Sequence, residues 1–578
     1  MSEASSAPSL PSLKASSLAL AVLVGLAVLS PWAFGSVTPL AVHLVTLVAL
    51  TTSAISLAWA STEDDVRLPA LPLMPLLALL ALGLFQLTPL PAVLHATVAP
   101  GSHAVWSPAS PAAQAVLGSG PYPVSLHPGA TSRALLLGSG LCGLALLAAP
   151  ALTRVSNAIP AAAVVAAGGV ALSTYGILAR ARFGNLLYGY IPVPTVSPFG
   201  PFVSKNHFAG YVGMTALLAL GLAVSLASRE RGREWTTRWR ATGVVLALVA
   251  ALAMALGVLV SLSRGGAISL AVGAFAFVAF RMRPRDSEQR IGPLVPSLAV
   301  AAALATILLL VLPPQAHERL RSMTGTSFRL DTWRDTLRMA SSSPWVGQGL
   351  GSFEDAYPRF KRSHGELRVE HAENDYLETL AEVGLIGLAL AFAALLLCGT
   401  RVLAARTSSR VRRLGAGALA GLLALLTHSA FDFNLRIPSN AIVAAFLASV
   451  VAAGAPLRSA SAWRTRAAAA AFGLAALLAL PRPAFPVDPS AQWEAARNEA
   501  RAAAASVVPE ARILHLDRTE RALRAMLRRR PAHAEAWLLL AGTRAEQGDA
   551  SARELALHAV GLDPERADLR SAAEALRR

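Results

Sequence analysis

The sequence predicts an all-α protein that crosses a membrane many times. Of its 578 residues, 54% are hydrophobic and only 15% are charged, whereas a soluble domain carries about 25% charged residues. The apolar residues form long runs without charges, and a run of about 20 such residues matches the thickness of a bilayer core. The mean hydropathy of +0.51 agrees with this class. We therefore expect a polytopic helical membrane bundle.

About thirteen apolar runs are candidate membrane-spanning helices. They follow a short N-terminal tail over residues 1–15, which we expect to be cytoplasmic, and they fill residues 16–480. The predicted spans lie near residues 16–33, 38–60, 68–88, 133–150, 157–179, 206–228, 241–262, 267–281, 294–313, 383–400, 414–430, 438–456 and 467–480.

Arginine-rich loops predict the orientation of these spans, because cytoplasmic loops of membrane proteins carry an excess of Lys and Arg. Four short loops of this kind lie at residues 229–240, 281–290, 401–413 and 457–466. With these loops inside, the count of spans places the N-terminus inside and the C-terminus outside. The same count places four connections on the outer face, at residues 89–132, 180–205, 263–266 and 314–382. The net charge of +17 is thus explained by topology, and no nucleic-acid partner is expected.

Two stretches of the chain differ from the spans. The 89–132 connection is rich in Pro, Ser, Gly and Ala and nearly uncharged, so we expect it to be exposed and weakly structured. Residues 490–578 follow a Pro-rich stop and are rich in Arg, Glu and Ala. This composition indicates a small soluble helical domain after the membrane domain.

The 490–578 tail resembles a tetratricopeptide repeat, a helical hairpin of about 34 residues. The similarity rests on Trp537, Leu540, Ala541, Ala552, Ala556, Ala559 and Pro564. Arg544 stands where an aromatic residue is usual, and a helix near 522–530 would end an earlier repeat. About one and a half repeats are too few for an independent domain. The tail therefore either caps the membrane domain or offers a docking surface to a protein partner.

A polar cluster stands at the predicted outer end of one span. His371 lies close in sequence to Glu373, Asn374, Asp375, Tyr376 and Glu378. A histidine among carboxylates at a membrane edge is a candidate general base. A structural explanation also exists, because Asn374 or Asp375 can cap the following helix with Glu378 near its positive end.

Basic and amide side chains also collect on the predicted outer face. They are Arg180, Arg182, Lys205, Asn206, Arg264, Arg329 and Arg334. An arginine at a helix end often only reaches toward the lipid headgroups. Arg264 is different, because it sits in a tight turn between two apolar helices and is followed by two glycines that permit close backbone approach. Its charge needs an anionic partner, either a carboxylate of the 314–382 loop or the phosphates of a lipid carrier.

Four stretches together resemble the O-antigen ligase and polymerase superfamily of bacterial envelope-polysaccharide enzymes. They are residues 205–210, 263–266, 329–353 and 371–387. Many relatives place a histidine directly before the asparagine, as in H-N-x-Y-L. Here Glu373 precedes Asn374, and His371 lies two residues earlier. Either His371 reaches the same place from an adjusted loop, which we favour, or Glu373 has taken over as the base.

The resemblance implies glycan transfer from an undecaprenyl-pyrophosphate carrier at the periplasmic face of the inner membrane. Ligases pass the glycan to lipid A–core, and polymerases pass it to another lipid-linked unit. The resemblance also implies a helical bundle with a periplasmic loop over the site, without a metal or another cofactor. The implied catalytic residues are His371, Glu373 and Arg264. The implied substrate-binding residues are Arg329, Arg334, Arg180, Lys205, Asn206, Asn374 and Tyr376.

Three alternatives stay open at this point. Ligase and polymerase share their donor chemistry, although a tail acting as an adaptor slightly favours a polymerase or a non-standard ligase. A transporter of a small anion or of the lipid-linked glycan would carry ionisable groups near mid-membrane and paired broken helices, whereas this chain keeps its charges at one predicted face. A non-catalytic assembly scaffold is the third alternative.

Overall fold

The computed structural model describes residues 12–62, 66–193, 197–227, 237–281, 326–403, 409–481 and 490–576. These residues are mostly helical with little strand, so the predicted all-α class is confirmed. The first eleven helices are α1 Ser12–Leu29, α2 Pro39–Ala60, α3 Met74–Leu87, α4 Ala92–Val98, α5 Pro100–Trp106, α6 Pro111–Leu117, α7 Pro128–Leu152, α8 Val155–Phe183, α9 Lys205–Ala227, α10 Thr237–Val260 and α11 Arg264–Arg281. The later helices are α12 Thr326–Ser342, α13 Phe353–Ala356, α14 Asp375–Leu403, α15 Ser409–His428, α16 Pro438–Ala452, α17 Ala462–Ala479, α18 Ala491–Ala505, α19 Pro509–Leu527, α20 Ala534–Glu546, α21 Ala552–Leu562 and α22 Ala567–Ala575.

Short elements connect some of these helices. Strand β1 (Val66–Pro69) pairs antiparallel with β4 (Leu457–Ala460), with Val66 opposite Ala460. Strand β2 (Leu186–Leu187) pairs antiparallel with β3 (Ile191–Pro192). The 3₁₀ turns are Ser30–Trp32, Phe34–Ser36, Tyr357–Arg359 and Asn434–Arg436.

Every predicted span except 294–313 coincides with an α-helix, and 294–313 lies outside the described residues. Within the described ranges, seven helices are long and apolar enough to cross a membrane. Three shorter helices are also apolar, namely Met74–Leu87, Arg264–Phe280 and Pro438–Ala452. The polytopic helical character is therefore confirmed, while the number of spans and their orientation stay predictions.

The chain divides into two compact units. The bundle unit contains Met1–Pro72, Leu136–Ser322 and Leu396–Leu480. Its centre is α9, which packs against α8, α10, α11, α15 and α16. Gly221 of α9 meets the backbone of Gly417 on α15, where an added Cβ would lie 2.9 Å from the Gly417 Cα. Small residues that let helix backbones approach closely are typical of membrane helix pairs.

The tail unit contains Leu73–Leu135, Met323–Leu395 and Pro481–Arg578. The five C-terminal helices, α18 to α22, pack mainly against their neighbours in sequence. Trp537 is fully buried, and its indole N–H donates to the Pro531 carbonyl at 2.7 Å. Arg544 is accommodated at its atypical position because it pairs with Glu520 at 3.1 Å. The tetratricopeptide assignment and the domain boundary near residue 490 stay predictions.

The prediction that the 89–132 connection is exposed and weakly structured was wrong. It forms the short helices α4, α5 and α6, and it buries Val105, Trp106 and Val116 in the core of the tail unit. Pro100 and Pro111 stand in the first turns of α5 and α6, where a proline loses no hydrogen bond and its fixed φ suits a helix. The prolines that suggested a loop therefore start helices.

Candidate functional site

His371 and Glu378 form a close pair at the start of α14. The His371 Nδ1 lies 2.9 Å from Glu378 Oε1, and the Ala372 N–H donates to Glu378 Oε2 at 2.8 Å. The His371 side chain is 30% exposed, whereas that of Glu378 is 1% exposed. A carboxylate in this position accepts the Nδ1–H and fixes the ring, so Nε2 is the nitrogen that can accept a proton. This is the arrangement of an oriented general base.

Glu373, the other candidate base, contacts one of the predicted cations. Its Oε2 lies 3.2 Å from the Arg329 guanidinium, and both side chains are partly exposed. The Glu373 backbone has a φ of 53°, a left-handed conformation that costs a residue with a side chain about 1–2 kcal/mol. Such strained backbone is concentrated at functional sites. The structure thus brings Glu373 and Arg329 into contact, while their roles in a substrate site stay predictions.

Asn374 caps α14. Its side-chain oxygen accepts hydrogen bonds from the backbone N–H groups of Tyr376 at 3.0 Å and Leu377 at 3.1 Å. The predicted capping role is confirmed, while its substrate-binding role stays a prediction. The Tyr376 ring stacks on Phe392, with ring centroids 5.9 Å apart.

A break in α14 anchors the polar cluster. Gly384 has a φ of +67° and a ψ of −172°, which no helix tolerates. The 344–349 turn fills the break with four backbone bonds, two from the N–H groups of Gln348 and Gly349 to α14 carbonyls and two from α14 N–H groups to the carbonyls of Pro344 and Trp345. A Cβ added to Gly347 would lie 2.2 Å from the carbonyl carbon of Glu382. A Cβ added to Gly384 would lie 2.3 Å from the carbonyl carbon of Trp345. Both positions therefore require glycine.

Sequence reasoning missed Gln86, which joins α3 to this break. Its amide N–H₂ donates to the carbonyls of Val346 and Glu382, each at 2.7 Å, and its oxygen accepts from the Leu350 N–H at 3.0 Å. Gln86 is fully buried, and these bonds compensate the cost of burying its amide. The available signal was a glutamine inside a predicted apolar span, since buried polar groups in such spans have specific partners.

In the bundle unit, the structure brings together two of the other predicted stretches. The Ser263 hydroxyl lies 2.8 Å from the Asn206 side-chain oxygen, to which it donates. The Ser263 oxygen also accepts from the Gly266 N–H at 3.2 Å. Ser263 therefore caps α11, and the exposed Arg264 is the first residue of that helix rather than part of the preceding turn. The side-chain cap explains the difference, because it starts the helix at Arg264, three residues before the predicted start at residue 267.

A buried polar network lies beside this turn, and sequence reasoning missed most of it. His207 Nε2 lies 3.2 Å from Asp432 Oδ1, and the Asn440 amide donates to the His207 carbonyl at 3.0 Å. The His428 ring lies against Gly265, where an added Cβ would be 3.0 Å away. Burial raises the pKa of Asp432, but the contact with His207 and the charges of His207 and His428 outweigh it and lower that pKa. The sequence signal that could have located this network is the polar stretch 427–434, which lies between two apolar runs.

The remaining predicted residues are divided between the two units. Arg334 is mostly exposed in the tail unit and pairs with Asp331 at 3.0 Å. Arg180 donates to Asn185 in the bundle unit, and Lys205 is the first residue of α9. The meeting of Arg264 with His371 in one pocket stays a prediction. Among the residues that the structure describes, no group of three or more His, Cys, Asp or Glu side chains is placed to hold a metal ion.

Comparison with known proteins identifies the region around the site. The family model described as "O-Antigen ligase" matches residues 249–392, which include Arg264, Arg329, His371, Glu378 and Gly384. No curated protein matches the chain in sequence. The family match supports an enzyme of glycan transfer in the assembly of lipopolysaccharide or related polysaccharides. Residues 249–392 therefore match the O-antigen ligase family, which supports a place for this chain in the O-antigen ligase and polymerase superfamily, and its apolar helices fit a membrane protein.

Proposed function

We propose that this protein transfers a glycan from an undecaprenyl-pyrophosphate carrier to an acceptor hydroxyl at the periplasmic face of the bacterial inner membrane. The observation that carries the proposal is the His371–Glu378 pair, in which a partly exposed imidazole is held at 2.9 Å by a buried carboxylate. The pair lies within the region that matches the O-antigen ligase family. Transfer to a hydroxyl needs a base that takes its proton, and an oriented imidazole is suited to this role.

The reaction is a displacement at the anomeric carbon of the donor sugar. The acceptor oxygen forms the new glycosidic bond while the anomeric carbon–oxygen bond to the pyrophosphate breaks. The electron pair of that bond leaves with undecaprenyl pyrophosphate, and the acceptor proton moves to His371 Nε2. Glu378 then faces an imidazolium, and its negative charge stabilises the positive ring.

The contact between Arg329 and Glu373 supports His371 as the base. Glu373 is engaged with the Arg329 guanidinium at 3.2 Å, so its carboxylate is already paired with a cation. Arg329 is partly exposed and can offer its other N–H groups to a pyrophosphate oxygen while Glu373 holds it. We propose that Arg264 also stabilises the leaving pyrophosphate, and that Arg180, Lys205 and Arg334 contribute to binding it. Asn206, Asn374 and Tyr376 are proposed to line the substrate site.

The test is turnover of a purified lipid-linked donor by the full-length protein in liposomes. We expect His371→Ala and Arg264→Ala to lose most activity, Glu378→Gln to follow His371→Ala, and Glu373→Gln to weaken donor binding more than turnover. His515→Ala is the matched control, because His515 also pairs with a glutamate, Glu499 at 2.7 Å, but on the C-terminal helices. Turnover should persist in EDTA. Full activity in both the His371 and Arg264 variants would contradict the proposal.

A deletion strain decides between polymerase and ligase. Loss of all long glycan chains indicates a polymerase, because repeat units then stay unjoined. Long chains that accumulate on the carrier, without attachment to lipid A, indicate a ligase. Normal glycan output from a strain carrying only the His371 and Arg264 variants would instead favour a scaffold.

A further inference from the structure

The C-terminal helices share a hydrophobic core with the segment that carries His371. Leu523, Leu527 and Trp537 of the tail belong to the same buried cluster as Ala372 and Ala381. Ala372 directly follows His371, and Ala381 lies on α14 one turn beyond Glu378. A core of close-packed side chains transmits a displacement in one part to its neighbours. The tail is therefore packed as part of the same unit as the candidate base.

A buried ion pair ties the tail to Asp355. Arg530 donates to Asp355 through Nη2 at 2.6 Å and through Nε at 3.3 Å. His127 Nδ1 lies 2.6 Å from the same carboxylate, and all three side chains are largely buried. Burial raises the pKa of Asp355, but the charges and hydrogen bonds of Arg530 and His127 outweigh it and lower that pKa. Such a two-point contact fixes orientation as well as distance.

The tie continues from Asp355 to the candidate base. Asp355 lies on α13, and the N–H of Phe353 at the start of α13 donates to Glu382 Oε1 at 3.1 Å. Glu382 is fully buried on α14, one helical turn after Glu378. Glu378 in turn holds His371. Three polar contacts, joined by one short helix and one helical turn, thus connect Arg530 with His371.

Part of the tail's surface is covered by helix α6 of the same unit. Helix α6 packs against α19 and α21. The Arg528 guanidinium donates to the Val116 carbonyl at 3.0 Å, and the Ala112 N–H donates to Glu554 at 3.4 Å. This part of the tail contacts a segment of the same chain.

We propose that Arg530 is a positioning residue for the His371–Glu378 base, so the C-terminal helices are part of the glycan-transfer machinery. The inference rests on the proposed function. It differs from an adaptor role, in which the tail would recruit another protein and its loss would leave the turnover of the purified enzyme unchanged. In the positioning role, Arg530 acts through Asp355 and Glu382 on the orientation of the imidazole.

The kinetic test compares Arg530→Met, Asp355→Asn and the double variant in the full-length purified protein. We expect kcat to fall at least about tenfold, because small misplacements of a catalytic group have large effects, while KM for the lipid-linked donor changes little. The kcat of the double variant should be no lower than that of the slower single variant, because each substitution removes the same Arg530–Asp355 contact. Arg512→Met is the matched control, because Arg512 pairs with Glu546 on the tail surface at 2.8 Å. Its kcat should equal that of the wild type.

Hydrogen exchange provides a readout independent of activity. The N–H groups of Phe353 and Ala372 donate to Glu382 and Glu378, so peptides covering them should exchange faster in Arg530→Met and normally in Arg512→Met. If Arg530→Met does not fold, Arg530→Lys keeps the charge but loses the two-point fork, and its kcat should still fall severalfold.

The outcomes separate the two proposals. A fully active His371→Ala contradicts the proposed function itself. An inactive His371→Ala combined with wild-type kcat in Arg530→Met and Arg530→Lys overturns only the positioning role. Reduced kcat in the Arg530 variants with unchanged exchange at Phe353 and Ala372 also overturns it.

Discussion

Two of the histidine–carboxylate pairs described above, His371–Glu378 and His207–Asp432, have the same chemistry and different surroundings. In the tail unit, His371 is 30% exposed and Glu378 is 1% exposed, at 2.9 Å. In the bundle unit, His207 is 8% exposed and Asp432 is 2% exposed, at 3.2 Å. A base must meet its substrate, so partial exposure of the imidazole is what proton transfer requires. Burial of both partners instead favours a structural role, because a buried pair is costly to break.

The largest effect should come from the exposed pair. We expect His371→Ala to reduce kcat by about 10²–10⁴-fold, the usual contribution of a general base. The unfolding temperature should stay close to that of the wild type, since the ring is partly exposed. Turnover of the lipid-linked donor and thermal unfolding in detergent measure the two quantities. If His371→Ala unfolds at a lower temperature but retains kcat, the His371–Glu378 pair has the structural role instead of the catalytic one.

The buried pair should respond in the opposite way. Asp432→Ala removes one partner of a buried pair, which typically costs about 3–5 kcal/mol, so the unfolding temperature should fall markedly. Asp331→Ala is the matched control, because Asp331 pairs with the mostly exposed Arg334 and surface pairs contribute only about 0–1 kcal/mol. Equal stability of the two variants would show that burial does not distinguish the pairs.

A substitution at the break in α14 tests whether the His371–Glu378 pair depends on the surrounding backbone. Gly384→Ala places a side chain at a φ of +67° and 2.3 Å from a backbone carbon. Strain of this kind costs about 1–3 kcal/mol before the clash is counted, and both stability and kcat should fall. Gly399→Ala lies in the same helix, with open space around the position, and should be neutral or slightly stabilising. Wild-type unfolding temperature and kcat in Gly384→Ala would contradict the assigned role of the break.

His558 should make a smaller, pH-dependent contribution to stability. Burial lowers the pKa of His558 to about 4, and the charge of Arg359 acts in the same direction. In the unfolded chain His558 binds a proton below pH of about 6.5, whereas in the folded tail it does so only near pH 4. The free energy of unfolding therefore falls as the pH decreases over this interval. His558→Phe, packed against Trp537, should flatten this slope. Unfolding temperatures of the full-length protein between pH 7 and 4 test this, and an unchanged slope would exclude His558 as its source.

Local features of the sequence predicted much of the fold. Apolar runs located the helices because helix length and composition are properties of a short segment, and Asn374 was recognisable as a cap because its partners lie two and three residues away. The same local reasoning failed for residues 89–132. Their prolines start helices, and their apolar side chains are buried by segments more than two hundred residues away, as the contact of Gly101 with Ser343 illustrates.

The sequence by itself therefore determined the helical membrane class, the resemblance to the O-antigen ligase family, and His371 as a candidate base. Only the tertiary structure decided that Glu378 holds His371, that Glu373 pairs with Arg329, and that Gln86 and Arg530 connect distant segments to the same unit. The physical reason is the range of the interactions. Apolar periodicity and capping act within a few residues, whereas hydrogen bonds and ion pairs depend on positions in space, and Gln86 and Glu382 are separated by 296 residues along the chain.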